Sequence, residues 1–449
     1  MKDYIEKSQT ISSSIIVIGL GYVGSVAAAA LAKAGHMVTV LDIDSEKLKA
    51  FASGRVDIYE PGLSEMVNEG ITEKRLEFKQ PSEVDKINAP LVMVCVGTPS
   101  RADGAADLFQ VRAALRWIRD KANGRGPVTV VMKSTVPPGR GELLYNQFLT
   151  DLPGRFYYIS NPEFLREGQA LHDWFYPDRI VIGGRDQMAI EQVRALYNNI
   201  DAPVLITDIT SAELIKYAAN AFLATKISFI NEVANLCECI GANIDAVAQG
   251  IGFDPRIGSG FLKAGIGYGG SCFPKDVRAL DFLSTVNGNS FELLKATIIV
   301  NNRQRTWPMH KLRSHLGQLA GKQVAVLGLA FKPGTDDMRE APAIDIIRIL
   351  MDEGADVRAY DPLAADKAAG LLQNSGLNIK LCRSVKEALA GTQAAVIATE
   401  WEEFINFDWV GAKNLMQEPF LIIDGRNCLN PVLFAENGFC YCGVGRGHV

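Results

Sequence analysis

"SIIVIGLGYVG", Ser14 to Gly24, decides how the chain is read. A short apolar run suited to a strand leads into Gly19-x-Gly21-x-x-Gly24. The alanine-rich stretch "SVAAAALAKAG" follows as a helix, with Gly35 placed to end it. Each glycine has a physical use. The first allows a tight turn, the second lets a pyrophosphate approach the backbone, and the third lets helix and strand pack closely. Unpaired N–H groups and the helix dipole favour an anion at the start of that helix. The flanking Tyr22 and Val23 fall in the same turn. The next expected strand, "VTVLD" (38–42), ends in Asp42. An acid there takes the adenosine ribose hydroxyls and repels a 2′-phosphate, which favours NAD over NADP.

The same alternation continues outward. Strands are expected at 14–19, 38–42, 91–96, 128–134, 157–160 and 179–184, with helical stretches between several of them. Strand–helix–strand order implies a parallel sheet covered on both faces. Residues 211–240 contain neither Pro nor Gly and are bounded by Ser211 and Gly241. They read as one helix of about 45 Å, apolar on more than one face, suited to a spine or an oligomer interface. A helical segment follows to about 318. Strands then restart at 323–330, 356–362, 394–400 and 421–425. The expected fold class is α/β. Two Rossmann-like, doubly wound parallel-sheet domains are joined by a long central helix and a helical middle domain. The boundaries are a polar tail (1–13), an NAD-binding domain (14–210), a helical dimerisation domain (211–318) and a second Rossmann-like domain (319–449).

Composition narrows the function. The 449 residues carry 46 basic and 51 acidic side chains, a net charge of −5. No basic run suggests nucleic acid or a membrane surface. No apolar stretch reaches the length of a membrane span, and the polar start lacks a signal-peptide core, so a cytoplasmic protein is expected. Eight cysteines include no C-x-x-C pair and no histidine at ligand spacing, so neither a metal site nor disulfides are expected. Cys95, Cys237 and Cys239 read as core residues.

Polar residues gather where an open parallel sheet binds ligands, beyond the carboxyl ends of its strands. Thr98 follows the third expected strand and Thr135 the fourth. Glu163 and Glu167, in "NPEFLREG", follow the fifth. Lys216 and Asn220 share a face of the long helix in apolar surroundings. The lysine either snorkels to solvent or, partly buried, steadies an oxyanion or holds a water. In "GYGGSCFPKD" (267–276), glycines surround Cys272, with Lys275 and Asp276 just behind. Cys272 is either inert core or an exposed thiol whose thiolate a nearby cation favours. "GLAFKPGTDDMRE" (328–340) lacks the third glycine of a dinucleotide motif, but Lys332 and Arg339 could anchor phosphate.

Taken together, "VIGLGYVG", "STVPPG", "NPEFLREG", "AELIKYAANAFLATKISFINE", "GFDPRIGSGFLKAGIGYGGSCFPKD" and "GLAFKPGTDDMRE" resemble the nucleotide-sugar 6-dehydrogenases, in family order and across nearly the whole chain. The resemblance implies oxidation of a sugar C6 alcohol to a carboxylate with two NAD⁺. UDP-glucose is the implied substrate. GDP-mannose, UDP-N-acetylglucosamine and UDP-N-acetylmannosamine are the alternatives. Cys272 matches the nucleophile that forms a thiohemiacetal and then a thioester. Lys216 matches the oxyanion-stabilising lysine and Asn220 its neighbour. Asp276 matches the acid that holds the catalytic water, and Glu163 the acid–base group. Thr135 matches a residue near both cofactor and substrate. Beside the glycine motif, Asp42, Lys47 and Thr98 match cofactor contacts, as do Glu167, Lys275 and Arg339. Glu163, Phe164, Leu165 and Glu167 match a loop over the substrate, together with Lys216 and Asn220. Phe261, Leu262, Lys263, Gly265 and Gly269 match nucleotide-sugar contacts, and so does Lys332. Arg256 matches an arginine supplied by a neighbouring subunit, so a homodimer or higher homo-oligomer is implied.

Overall fold

The computed structural model describes residues 13–122, 126–150 and 154–446. The expected polar tail lies, except for Ser13, outside the described residues. By its internal contacts the chain forms two compact units, one up to Ala219 and one from Asn220 onward.

The first unit is built on an eight-stranded sheet. Its strands are β1 (Ser14–Ile18), β2 (Met37–Leu41), β3 (Leu76–Lys79), β4 (Leu91–Val94), β5 (Val128–Met132), β6 (Phe156–Ser160), β7 (Ile180–Gly184) and β8 (Val204–Thr207). They lie in the order β3-β2-β1-β4-β5-β6-β7-β8. Every pairing is parallel except β6 with β7, which meet antiparallel at Ile159–Gly184 and Ser160–Gly183. The order reverses between β1 and β4, and a ligand crevice opens at such a switch point. β1, β4 and β5 are almost wholly buried runs of Val, Ile, Leu and Met, as a sheet covered on both faces requires.

The second unit holds a six-stranded, all-parallel sheet. Its strands are β9 (Gln323–Leu327), β10 (Asp356–Tyr360), β11 (Lys380–Leu381), β12 (Ala394–Ile397), β13 (Leu421–Asp424) and β14 (Cys440–Gly443), ordered β11-β10-β9-β12-β13-β14. The first six strands of the other sheet follow the same order. The two turns after the leading strands also match. Gly19 N–H donates to Leu41 O at 2.7 Å and Gly328 N–H to Tyr360 O at 2.8 Å. Leu20 N–H donates to Asp42 and Leu329 N–H to Asp361. The two acids then differ. Asp42 is half-buried and takes one further bond, from Asp44 N–H. Asp361 is buried and takes four further bonds, from the N–H groups of Ala330, Leu363 and Ala364 and the Trp401 indole.

The long helix runs from Ile209 to Ile240, 32 residues. Its start is set by Asp208, which accepts from Ser211 N–H at 2.8 Å, rather than by Ser211. Glu213, one turn in, is buried and accepts from the N–H groups of Gly139 (2.8 Å) and Gly141 (2.9 Å). It thereby answers free donors where helix Arg140–Phe148 begins. Burial pushes its carboxyl up to about 8 despite those two donors. A carboxyl that holds its proton more tightly when folded makes stability fall as pH rises from about 4.5 to about 8. Glu213→Gln stays neutral throughout. We expect the stability of the native chain relative to this variant to fall across that window by on the order of a few kcal/mol. Urea denaturation at a series of pH values measures it, and a pH-independent difference would contradict the assignment.

Candidate active site

The glycine motif is formed as its spacing demands. Gly19 has φ +104° and lies so close to β4 that a Cβ would meet Cys95 O at 2.7 Å. A Cβ on Gly24 would collide with Gly19 O, whereas one on Gly21 would meet nothing within 4 Å. Gly21 caps helix Tyr22–Lys33, and no side chain there bonds its free N–H groups. An open, positive, side-chain-free helix start beside Asp42 fits a dinucleotide pyrophosphate and ribose. Lys47 is half-buried on the helix that follows β2.

Tyr22 links this turn to the loop after β6. Its hydroxyl donates to Glu60 and accepts from Gly168 N–H at 2.6 Å, and Glu60 accepts from Leu171 N–H at 3.0 Å. Burial and the adjacent Glu60 carboxylate push the Tyr22 hydroxyl well above its usual range. Within the loop, Arg166 is braced by Asp173. Glu163 accepts from Leu165 N–H at 2.6 Å and lies 3.4 Å from the Lys216 ammonium. Lys216 is only 4% exposed, so the snorkelling alternative falls away. The Phe164 ring carries two cations, the Lys216 ammonium at 5.3 Å and the Arg179 guanidinium at 3.7 Å. Thr98 is buried, and Ser134 ties the β4 and β5 turns together by donating to Val96 O at 2.7 Å. Thr135 O lies 3.5 Å from the Tyr217 hydroxyl.

In the second unit, Asn220 donates to Asp276 at 2.7 Å, and both are buried. Lys275 lies 2.5 Å from the same carboxylate. Cys272 caps helix Phe273–Val286, and Asp276 N–H returns to its carbonyl. It is half-buried, 3.5 Å from the Ser271 hydroxyl. A helix N-terminus favours thiolate. The other cysteines differ. Burial pushes the thiols of Cys95 and Cys442 up to about 12 and also raises those of Cys237, Cys382, Cys428 and Cys440. Cys239, expected in the core, is exposed. Two residues round a helix is about 200°, which turns it away from the buried Cys237.

Gly270 has φ +84°, and a Cβ there would press on the Phe331 ring at 2.8 Å. Gly269 faces Glu340 O too closely for any Cβ. Phe261 is exposed in a left-handed conformation, Leu262 is buried and Lys263 exposed. Arg256 is exposed and paired with Asp254, while Arg339 is exposed and paired with Asp337. Lys332 lies 5.8 Å from the Phe331 ring. Arg426, absent from the expected set, donates to Ala398 O at 2.7 Å, Gly267 O at 3.0 Å and Phe331 O at 3.2 Å. Glu60 was missed as well. Glu60 sits in no motif that its neighbours in sequence reveal. Among the described residues no cluster of His, Cys, Asp or Glu could hold a metal ion. No helix of the described residues is long and apolar enough to cross a membrane.

Comparison with known proteins matches three family models in succession. They are the UDP-glucose/GDP-mannose dehydrogenase family's NAD binding domain over residues 13–201, its central domain over 210–303 and its UDP binding domain over 325–431. The chain is 45% identical over 435 residues to the UDP-glucose 6-dehydrogenase YwqF of Bacillus subtilis, covering 96% of this chain and 98% of that protein. It is 44% identical over 441 residues to a UDP-glucose 6-dehydrogenase of Rhizobium meliloti, covering 96% and 99%. A solved UDP-glucose dehydrogenase from the archaeon Pyrobaculum islandicum is similar at a TM-score of 0.89 and 38% identity, covering 98% of this chain and 99% of that one.

The contrast among the thiols is directly testable. Brief iodoacetamide treatment of the folded protein at neutral pH, read by peptide mass spectrometry, should label Cys272 and the exposed Cys239 first. The six thiols raised by burial should stay unlabelled until denaturant is added. Early labelling of Cys95 or Cys442 would contradict this.

Proposed function

The chain belongs to the UDP-glucose/GDP-mannose dehydrogenase family, and on that footing we propose that it oxidises C6 of UDP-glucose to the carboxylate of UDP-glucuronate. It is an NAD-dependent oxidoreductase with a UDP-binding domain. One observation carries the reading. A single helix bears, one turn apart, two buried polar groups with acidic partners: Lys216 with Glu163, and Asn220 with Asp276.

Bound NAD⁺ supplies the hydride acceptor for each of two oxidations. In the first, the C6 alcohol loses a hydride and a proton and becomes an aldehyde. A bare aldehyde has no hydride to give on the way to an acid. The Cys272 thiolate therefore adds to C6: the C–S bond forms, the C=O π pair moves to oxygen, and that oxygen takes up the proton released in the first oxidation to give a thiohemiacetal. Loss of its hydride and hydroxyl proton leaves a thioester. Water then attacks, giving its proton to Glu163, and the C–S bond breaks to release the acid and the Cys272 thiolate. The Lys216 ammonium offsets the oxyanion that develops at each stage. Asp276, fixed by Asn220, orients the attacking water. Asp42 and the glycine turn hold the cofactor, with Thr98, Glu167, Lys275 and Arg339 completing that role. The nucleotide sugar is gripped by Phe164, Leu165, the 261–269 stretch and Lys332. NAD and nucleotide sugars are cytoplasmic pools, and eight free cysteines suit that compartment.

The working unit we infer is a homodimer. Phe222, Phe229 and Leu236 recur every seven residues on the long helix and are each more than half exposed, with Ile240 beyond them. That spacing makes a continuous apolar seam for a second copy. The exposed Arg256 would then exchange Asp254 for a place in the partner's site.

Two experiments test these readings. With UDP-glucose limiting and NAD⁺ in excess, two NADH should form per sugar, and Cys272→Ser should fail to complete the second oxidation. One NADH per sugar with free aldehyde from the native enzyme would sink the mechanism. Faster turnover of GDP-mannose or a UDP-N-acetylhexosamine in a substrate panel would move the substrate. Separately, Phe229→Glu should convert the dimer to monomers in light scattering and abolish turnover; an unchanged mass would rule the seam out.

A further inference from the structure

Besides Thr297, helix Glu292–Arg305 carries three buried polar side chains that the chemistry above does not use: Asn301, Gln304 and Arg305. They stand at i, i+3 and i+4 and so share one face. Each bonds a backbone group in the stretch that leads to Cys272. Gln304 donates to Gly265 O at 2.9 Å. Asn301 accepts from Tyr268 N–H at 2.8 Å and donates to Tyr268 O at 3.2 Å, clasping both polar groups of one residue. Arg305 donates to Tyr268 O at 3.0 Å and to Glu340 O at 2.7 Å. Room for the clasp comes from Gly267, where a Cβ would lie 2.6 Å from the Asn301 oxygen.

The far side of Cys272 is tied to the same knot. Arg278, on the helix that Cys272 caps, binds Glu340 at 2.8 Å. Arg305 reaches that carboxylate at 3.5 Å and Asp345 at 2.9 Å. Leucines on this face would leave Gly265 and Tyr268 with unanswered polar groups, so the three side chains are matched to the loop's backbone.

We propose that Asn301, Gln304 and Arg305 are positioning residues for Cys272, a rail that fixes the backbone of Gly265–Tyr268 and thereby where the thiol stands. The inference rests on the reading of Cys272 as the nucleophile. It has a selective consequence. The first oxidation needs no thiol, whereas the second needs the sulfur within bonding reach of the aldehyde carbon. A misplacement of about 1 Å costs on the order of a hundredfold in such a step. Loosening the rail should therefore slow the second oxidation and leave the first nearly intact.

The test uses the full chain as Asn301→Ala and Arg305→Lys, with Asn302→Ala on the exposed side of the same helix as control. Lysine keeps the charge of Arg305 but has a single nitrogen, so it cannot hold the Tyr268 and Glu340 carbonyls and the Asp345 carboxylate at once, and it covers the case in which Asn301→Ala folds poorly. Single-turnover NADH traces separate the two oxidations, iodoacetamide reports Cys272 without substrate, and thermal midpoints report folding. We expect a first equivalent within about threefold of native and a second slowed by about a hundredfold. The Cys272 alkylation rate should shift by about fivefold or more, and Asn302→Ala should behave as native. Parallel loss of both oxidations along with the thermal midpoint means a merely structural role and overturns the proposal. So do unchanged second-step and alkylation rates in folded variants. If the native enzyme itself yields one NADH per sugar, the assigned reaction fails, and the alkylation rates alone then decide the rail.

Discussion

Irregular backbone can be buried only if its N–H and C=O groups find partners, and this constraint shapes the cysteine loop and much of the second unit. Residues 264–270 are buried yet belong to no helix or strand. Their polar groups are met from several directions. Asn231 takes Gly265 N–H and Gln304 its carbonyl. Gly425 O takes Ile266 N–H, Arg426 meets Gly267 O, and Arg339 O takes Gly270 N–H. Partners from 34 to 159 residues away in sequence thus converge on one short stretch. A nucleophile attached to such a loop is as fixed as one on a strand, while glycines keep room for close backbone approach.

The first unit solves a related problem with carboxylates. Glu60 and Glu213 are buried acids that accept backbone N–H groups at Leu171, and at Gly139 and Gly141. Each ties a loop bearing a proposed site residue to a neighbouring element. Through Tyr22, the cofactor turn and the loop holding Glu163 share one hydrogen-bonded chain. Through Glu213, the helix turn before Lys216 is locked to the loop that follows Thr135.

Much of this was legible in the sequence. Buried parallel strands read as unbroken Val, Ile and Leu runs, so β1, β4, β5, β9 and β12 were found within a few residues. The strands that escaped were β3, β8, β11 and β14. All four lie at the sheet edges: polar residues such as Glu77, Lys79 and Lys380 interrupt β3 and β11, and β8 (VLIT) and β14 (CYCG) are only four residues long. The dinucleotide turn was plain because its glycines and Asp42 lie within one strand–helix–strand unit. Cys272 was ambiguous from its neighbours alone, since its reactivity depends on the helix it caps. Glu60, Glu213, Asn301, Gln304, Arg305 and Arg426 left no local trace. Most of their partners are backbone groups, which carry no side-chain signature, and the rest, such as Tyr22 for Glu60 and Asp345 for Arg305, lie far off in sequence.

The two acids at the matching turns show how one skeleton serves two ends. A carboxylate offers about four lone-pair sites. Asp42 uses two on its own chain, while Asp361 is oversubscribed by Leu329, Ala330, Leu363, Ala364 and Trp401. The second sheet therefore keeps the strand order of a dinucleotide binder with its recognition group withdrawn from solvent. A designer wishing to graft a second cofactor there would gain little by restoring the missing glycine. The carboxylate would have to be released first, at the expense of the turn it now holds together.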